Sequence, residues 1–475
     1  MSMFASAVLA AVINVSPTNP RYFETADGKA WIPIGCNICF DRLYDGKGHG
    51  DAAVREDFDR WLRSFAANGG NCIRLWAGHR SLEVMPDKPG VWDEEKAKSL
   101  KGIVKLCEEL GVKVKITLES FRMTLSAEDE PNAADPDGVP YGADYVKWFN
   151  RRLYAPYAKD VAEFFVSDVC RKSYLGKAQY LKDLGFGDSP AVYCWELWNE
   201  INCCGTIAEY SSWSAWALGE LKKMFPNQMT VNNLGSFSDI AAYQMYDELA
   251  TEKGNDFMQI HRYLDAGACL DVCRGPMDIV AASAVRELLD RRADCPVIVA
   301  EIGAVQANHA GPSSYYPLDK EGMLLHDAVF AAFFAGSAGC GQFWHWDHQY
   351  IDGNNLWWHF RRFANAIKGL DPVFEGFRPF YTESRRLRMY GLRGKKTAVL
   401  WCRDKKSTWE DELVHGNSPE VLKEEIVPFR DCRLVCYLPW EDRWATVDAP
   451  TLPPFKRSIV VRVPADAVEG VVRAH

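Results

Sequence analysis

From about residue 31 to residue 370, short apolar runs alternate with longer stretches in which apolar residues recur at helical spacing. This alternation constrains the chain more than any other feature, because strands joined through helices run parallel and are covered on both faces. The strand candidates are Trp31–Gly35, Cys72–Trp76, Val112–Leu118, Val192–Trp195, Met229–Asn232, Met258–His261, Val297–Ala300 and Gln342–Trp344. The helix candidates are 58–65, Glu94–Leu110, Tyr157–Leu184, Ala208–Phe225, Ile279–Arg292, Gly322–Phe334 and Trp357–Leu370. The first three stop at Gly69, Gly111 and Gly185, the residue type that most often ends a helix. Strands alternating with helices in this number match a (β/α)8 TIM barrel. An open doubly wound sheet is the competing topology, and no Gly-x-Gly-x-x-Gly turn follows the first strand to favour it.

Past Leu370-Asp371-Pro372 the pattern changes. Leu387–Leu392, Thr397–Cys402, Arg433–Leu438 and Ser458–Val463 read as strands joined by Gly, Pro and charged turns, with one short helix candidate at Glu420–Glu425. Residues 374–475 are therefore expected to form a small β-sandwich beside a barrel of residues 1–373. Val12–Val15 and Asn19–Phe23, followed by the turn Ala26–Lys29, suggest an N-terminal β-hairpin. Trp401, Trp409, Trp440 and Trp444 are read as core or interface residues, with a sugar-binding face as the alternative.

Composition narrows the function. The chain has 475 residues, 48% hydrophobic and 25% charged, with a net charge of -9. That balance argues against nucleic acid or an anionic membrane as partner. Met3–Val15 is too short to span a bilayer, which needs about 20 apolar residues. The fifteen cysteines follow no disulfide or zinc spacing and many lie within apolar segments, so they are expected to be reduced thiols. A reducing, cytoplasmic setting is favoured, with export as the alternative. No cofactor or metal is expected; Asp135–Gly138, in the long loop Glu119–Asp144, lacks the ligand spacing of a calcium loop.

In barrels of this kind active sites form at the C-terminal strand ends. The polar residues found there are Arg74, then Asn199 and Glu200, then His261 and Tyr263, then Glu301, and finally Trp344 and Trp346. Trp195-Glu196-Leu197-Trp198-Asn199-Glu200 and Pro296–Gly303 each run from an apolar strand into a carboxylate, an arrangement too costly to bury without purpose or partners. Two strand-end carboxylates suggest the two-acid chemistry of glycoside hydrolysis.

In order and strand position these residues resemble the retaining glycoside hydrolases of clan A, most closely the cellulase- and mannanase-like family 5. In that clan an Asn-Glu pair ends strand four and supplies the acid/base, and a Glu ending strand seven is the nucleophile. Family 5 adds an Arg on strand two, a His-x-Tyr on strand six and a Trp on strand eight. Arg74, Asn199, Glu200, His261, Tyr263, Glu301 and Trp344 match. One position departs: where the family commonly carries a His near the end of strand three, this chain has Ile116-Thr117-Leu118-Glu119-Ser120-Phe121. A related family of the clan is the alternative.

The resemblance implies that Glu301 attacks the anomeric carbon while Glu200 protonates the leaving oxygen and later activates water. Arg74 and Tyr263 would orient Glu301, and Asn199 would bind the sugar 2-hydroxyl. His261 would orient Glu200 or touch the sugar. Trp344 would floor the reacting sugar, with Trp346 as a further contact. Glu196 is read as a structural ion pair within the barrel. The expected partner is an oligo- or polysaccharide, a β-mannoside or β-glucoside, and the oligomeric state is left open. A transglycosylase on the same residues and a non-catalytic carbohydrate-binding barrel are the competing functions.

Overall fold

The computed structural model describes residues 12–44, 49–86, 88–120, 157–158, 161–309, 311–429 and 431–468. Most of the long loop expected after strand three, with Asp135–Gly138, lies outside them, as does the start of Met3–Val15.

The chain opens with a three-stranded antiparallel sheet, β1 (Ile13–Val15), β2 (Phe23–Thr25) and β3 (Ala30–Trp31). The first expected parallel strand is thus split: Trp31 belongs to this sheet, and the parallel strand β4 is Gly35–Cys36. Beside β4 lie β5 (Cys72–Trp76), β6 (Lys113–Ser120), β7 (Val192–Asn199) and β8 (Met229–Val231), all parallel and in chain order. β9 (Met258–Leu264) and β10 (Val297–Ala304) form a second parallel pair. Gln342–Trp344, expected as an eighth strand, is present only as bridges: Phe343 pairs in parallel with both Ile302 and Cys36 and so links β10 back to β4.

The helices are α1 (Asp51–Ala67), α2 (Glu94–Leu110), α3 (Val161–Val166), α4 (Asp168–Leu181), α5 (Ile207–Met224), α6 (Ala241–Thr251), α7 (Met277–Arg291), α8 (Met323–Phe334), α9 (Trp358–Ile367) and the single turn α10 (Pro372–Glu375). Local chemistry sets their ends. Asp93 caps α2 by accepting from the Glu95 and Lys96 amides, and Gly111 closes it at φ 70, where a side chain would be strained. Thr206 and Glu209 form a capping box on α5. α6 was not anticipated; its buried Ala242, Tyr246 and Leu249 fall at spacings of four and three but are only three among many polar residues. Every residue of α8 is buried, which follows from its place between the parallel strands and the C-terminal sheet. No described helix is long and apolar enough to cross a membrane.

The C-terminal region is one six-stranded antiparallel sheet, ordered β11 (Arg378–Glu383), β12 (Leu387–Arg393), β13 (Thr397–Asp404), β18 (Ser458–Pro464), β15 (Arg433–Leu438), β16 (Arg443–Asp448). A two-stranded ribbon, β14 (Val421–Leu422) with β17 (Phe455–Lys456), replaces the helix expected at Glu420–Glu425. Alternation along the strands sends side chains to two cores. Tyr390, Trp401 and Val460 join the main core, whereas Met389, Leu400, Cys402 and Val461 form a second one with Leu422 and Phe455 of the ribbon. Two buried arginines bolt the sheet to the helices: Arg388 to Asp278 of α7 and Arg403 to Asp327 of α8. Trp401 is core, and Trp440 packs against His326, Trp358 and His359 at the seam. Trp409 donates to the Gly275 carbonyl, and Trp444 alone of the four is 43% exposed.

Candidate active site

β7 is buried along its whole length and ends at Asn199. At Glu200 the backbone turns into the left-handed region, φ 56 and ψ 55, which a residue with a Cβ seldom adopts. Asn233 holds this turn by accepting the Glu200 amide on Oδ1 at 2.8 Å. The opposite amide group of Asn233 faces His261 Nε2 at 2.8 Å. Since Oδ1 is committed to an N–H, Nδ2 is the donor, and His261 Nε2 accepts. The imidazole proton therefore sits on Nδ1, which lies 2.7 Å from Glu200 Oε1 and 3.3 Å from Glu301 Oε2. Burial draws His261 down to about 3, so the ring is a neutral donor to Glu200, with Glu301 close by.

Glu301 reaches the same point from β10. The pairing of β10 with β9 shifts between Val299 and Glu301, so Ala300 is an extra residue and Glu301 comes level with His261. Such a bulge re-aims a side chain. The Ala300 carbonyl is received by buried Asn37, whose Nδ2 lies 2.8 Å away and also donates to the Gln342 carbonyl at 2.9 Å. Gln259, His261 and Tyr263 alternate along β9 and face inward in three tiers. The Tyr263 hydroxyl donates to Glu301 Oε2 at 2.6 Å, and Arg74 Nη1 donates to Glu301 Oε1. Burial pushes the Glu301 carboxyl up, Glu200 adds to that, and His261, Arg74 and Tyr263 pull against it. The Glu301 side chain is 4% exposed and that of Glu200 21%, so solvent approaches the pair from the Glu200 side.

Arg74 is shared. Its Nε donates to Glu196 Oε1 at 2.8 Å, and its Nη2 to Asn199 Oδ1 at 2.7 Å and to Glu196. Burial alone would raise Glu196, but Arg74 and Lys115 outweigh it and hold the carboxyl at about 2. The structure thus brings Arg74, Asn199, Glu200, His261, Tyr263 and Glu301 into one cluster. The Arg74 guanidinium lies 5.2 Å over the Trp76 ring, and Trp76 is 5.4 Å from the half-buried Trp344, which extends the cluster into an aromatic wall. Trp346 does not fit the sugar contact expected of it. It is fully buried, edge-on to Phe40, Trp61 and Trp344, and Arg42 is wedged 4.6 Å over its ring. The chain leaves the strand-eight segment before Trp346, so the alternation that places Trp344 inward no longer holds there.

Ligand atoms of Glu200, His261 and Glu301 lie within 4.8 Å of one another, close enough to surround a metal ion. The proton on His261 Nδ1 fills that space with a donor instead of a lone pair. Asp41, His49 and Asp57 form a second such group, in which the His49 nitrogens face the two carboxylates at 2.7 and 3.2 Å.

Sequence reasoning missed Asn233, Asn37, Lys115 and Gln259, whereas Glu196 is the buried ion-pair partner it was read as. Gln259 sits two residues before His261, so inward parity was a signal for it. Asn37 and Asn233 act across strands, and no local pattern marks them.

No family model matches the chain. A putative mannan endo-1,4-beta-mannosidase 9 of Oryza sativa subsp. japonica is 24% identical over 314 residues, 60% of this chain and 70% of that protein. Among solved structures, a glycoside hydrolase family 5 protein from Bacteroides vulgatus superposes with a TM-score of 0.57 at 12% identity, covering 96% of this chain and 94% of its own. The endo-beta-1,4-mannanase from Thermotoga petrophila gives 0.50 at 16% identity, covering 91% and 98%. At such identities the superpositions speak for the fold. The chain has the fold of the family 5 glycoside hydrolases.

Proposed function

We propose that this protein is a retaining β-glycosidase in which Glu301 is the nucleophile and Glu200 the acid/base. The observation that carries the reading is the convergence of one Glu200 oxygen and one Glu301 oxygen on His261 Nδ1, all within 4.8 Å. Double displacement uses carboxyls about 5–5.5 Å apart, whereas inversion needs about 6.5–9.5 Å to admit a water. The asymmetry of support fits the division of labour. Glu301 is oriented by Arg74 and Tyr263 and shielded from water, as an attacking carboxylate must be. Glu200 touches solvent, from which the second step draws its water.

In the first step Glu301 bonds to the anomeric carbon while the leaving oxygen takes the Glu200 proton. In the second, Glu200 removes a proton from water, which displaces Glu301 and restores both groups. On this reading Asn199, held by Arg74, binds the sugar 2-hydroxyl, and Trp344 stacks on the sugar face. The names of the rice and Thermotoga proteins direct the substrate class toward β-1,4-linked mannosides.

The strand order, with Phe343 linking β10 to β4, supports a closed (β/α)8 barrel for residues 1–373. The two cores of the C-terminal sheet support an accessory β-sandwich for residues 374–475, its outer layer reduced to the ribbon. The test of the site is covalent trapping. A 2-fluoro β-mannoside with an activated leaving group should inactivate the enzyme, and peptide mapping should find the sugar on Glu301. Label on another residue would sink the assignment.

A further inference from the structure

Beneath the two carboxylates lies a second, fully buried layer: Arg74 on β5, Lys115 and Thr117 on β6, Glu196 on β7 and Gln259 on β9. Glu196 Oε1 accepts from Arg74 Nε and from Thr117 Oγ1, each at 2.8 Å, and from Arg74 Nη2. Its Oε2 accepts from Gln259 Nε2 at 2.7 Å and from Lys115 Nζ at 2.9 Å. Lys115 Nζ donates as well to Gln259 Oε1. The carboxylate is saturated, having about four lone-pair sites.

This layer has two consequences for the groups above it. Glu196 occupies one edge of the Arg74 guanidinium, which fixes its plane and leaves Nη1 for Glu301. Glu196 also takes up part of Arg74, the one arginine that donates to Glu301 among the described residues. With Arg74 alone, two buried carboxylates would face one cation, and the surplus negative charge would oppose ionisation of Glu301. The ammonium of Lys115 restores the count to two cations and two anions. Among the described residues, the other titratable groups around Glu301 are Glu200 at the end of β7, His261 and Tyr263 from β9 and the Cys39 thiol after β4, and none of these adds a positive charge while His261 is neutral.

We propose that Lys115 and Glu196 are positioning residues that act through Arg74 as a buried charge balance and set the pH at which Glu301 ionises. The role in catalysis rests on Glu301 being the nucleophile; the balance itself does not. Neither residue touches substrate.

The test is a double-mutant cycle in the full-length protein: Lys115→Met, Glu196→Gln and the two combined. The ionisation of Glu301 is followed directly by 13C NMR of protein labelled at glutamate Cδ, with the resonance assigned by its absence in Glu301→Gln. The acid limb of kcat/KM on 4-nitrophenyl β-mannoside is measured alongside. Lys115→Met should move the midpoint up by about one pH unit and Glu196→Gln down by about as much, while the double variant returns to within about 0.3 of wild type. Shifts of both single variants in one direction, or none, would overturn the proposal. If a single variant does not fold by circular dichroism, the double variant decides, and a midpoint displaced by about half a unit or more overturns the balance. Opposed NMR shifts in a protein without turnover would leave the balance standing and remove the nucleophile. Turnover with unmoved midpoints would do the reverse.

Discussion

Two regions of this molecule bury arginine against carboxylates, and they do it differently. At the seam between helices and C-terminal sheet, Arg403 and Arg388 each commit the fork to one carboxylate. Arg403 meets Asp327 through Nε and Nη2 at 2.7 and 2.9 Å, and Arg388 meets Asp278 in the same way at 2.6 and 2.9 Å. The two arginines face each other across β12 and β13, and Tyr390 adds a further donor to Asp278 at 2.9 Å. At the strand ends, one guanidinium is divided among Glu196, Glu301 and Asn199. A fork used up on one carboxylate makes a fixture. A divided fork orients Glu301 while sharing its cation with Glu196; burial pushes Glu301 and the seam's Asp327 up alike, so the two regions differ in how the fork is shared and not in the direction of the shift. The same chemical pair thus yields a joint in one place and, on the proposed reading, the nucleophile's support in the other.

The contrast can be broken most decisively at the strand ends. Glu200→Ala should lower turnover of a mannoside with a poor leaving group by about 10²–10⁴-fold, the usual range for a lost general acid. Activity on an activated aryl mannoside should suffer far less in the first step, and added azide should restore turnover as a glycosyl azide seen by mass spectrometry. Equal loss on all substrates would mean that Glu200 is structural, like the seam carboxylates.

At the seam the expected effect is on stability. Asp327→Asn leaves Arg403 buried beside an uncharged amide and should cost about 3–5 kcal/mol in denaturant unfolding. The folded fraction should keep its kcat/KM. A fall in kcat/KM with unchanged stability would erase the distinction between the two regions.

Glu252 sharpens the comparison as a carboxyl with an amide donor, Asn232 at 2.9 Å, and no arginine partner among the described residues. Burial pushes it up from an ordinary 4.5 to about 7. Its folded value lies above its unfolded one, so its contribution to stability is whole below about pH 4.5 and is lost as pH rises through 7. Glu252→Gln should therefore change little at pH 4 and stabilise by about 1–2 kcal/mol at pH 8, read from thermal unfolding at both. A gain of equal size at both pH values would remove the titration.

The sequence made the reactive tier legible because charge at the end of an apolar strand is conspicuous. Glu200, Glu301, Arg74 and the His261–Tyr263 alternation were all visible on that ground, and the structure brings them together. The helix α6 was obscured by the polar residues around its three buried positions. The eighth strand shrank to bridges at Phe343, because the chain there is held by backbone bonds on either side and not by a run of its own. Trp346 misled because it follows Trp344 by two residues, and that spacing carries meaning only while a strand continues. The lower tier was the least legible. Lys115 in Val114-Lys115-Ile116 looks like a solvent-facing residue of an ordinary strand, and only the register of β5, β6, β7 and β9 shows that it shares a carboxylate with Arg74.

Glu200 sits in a backbone conformation that glycine and asparagine adopt more readily than glutamate does. A population of variants screened for heat resistance alone would drift at this position toward those two residues and lose its chemistry along the way, since strain held at a working residue is released by replacing it. Selection for activity must keep opposing that drift. On the role proposed for Glu200, position 200 is a place where durability and turnover are set against each other.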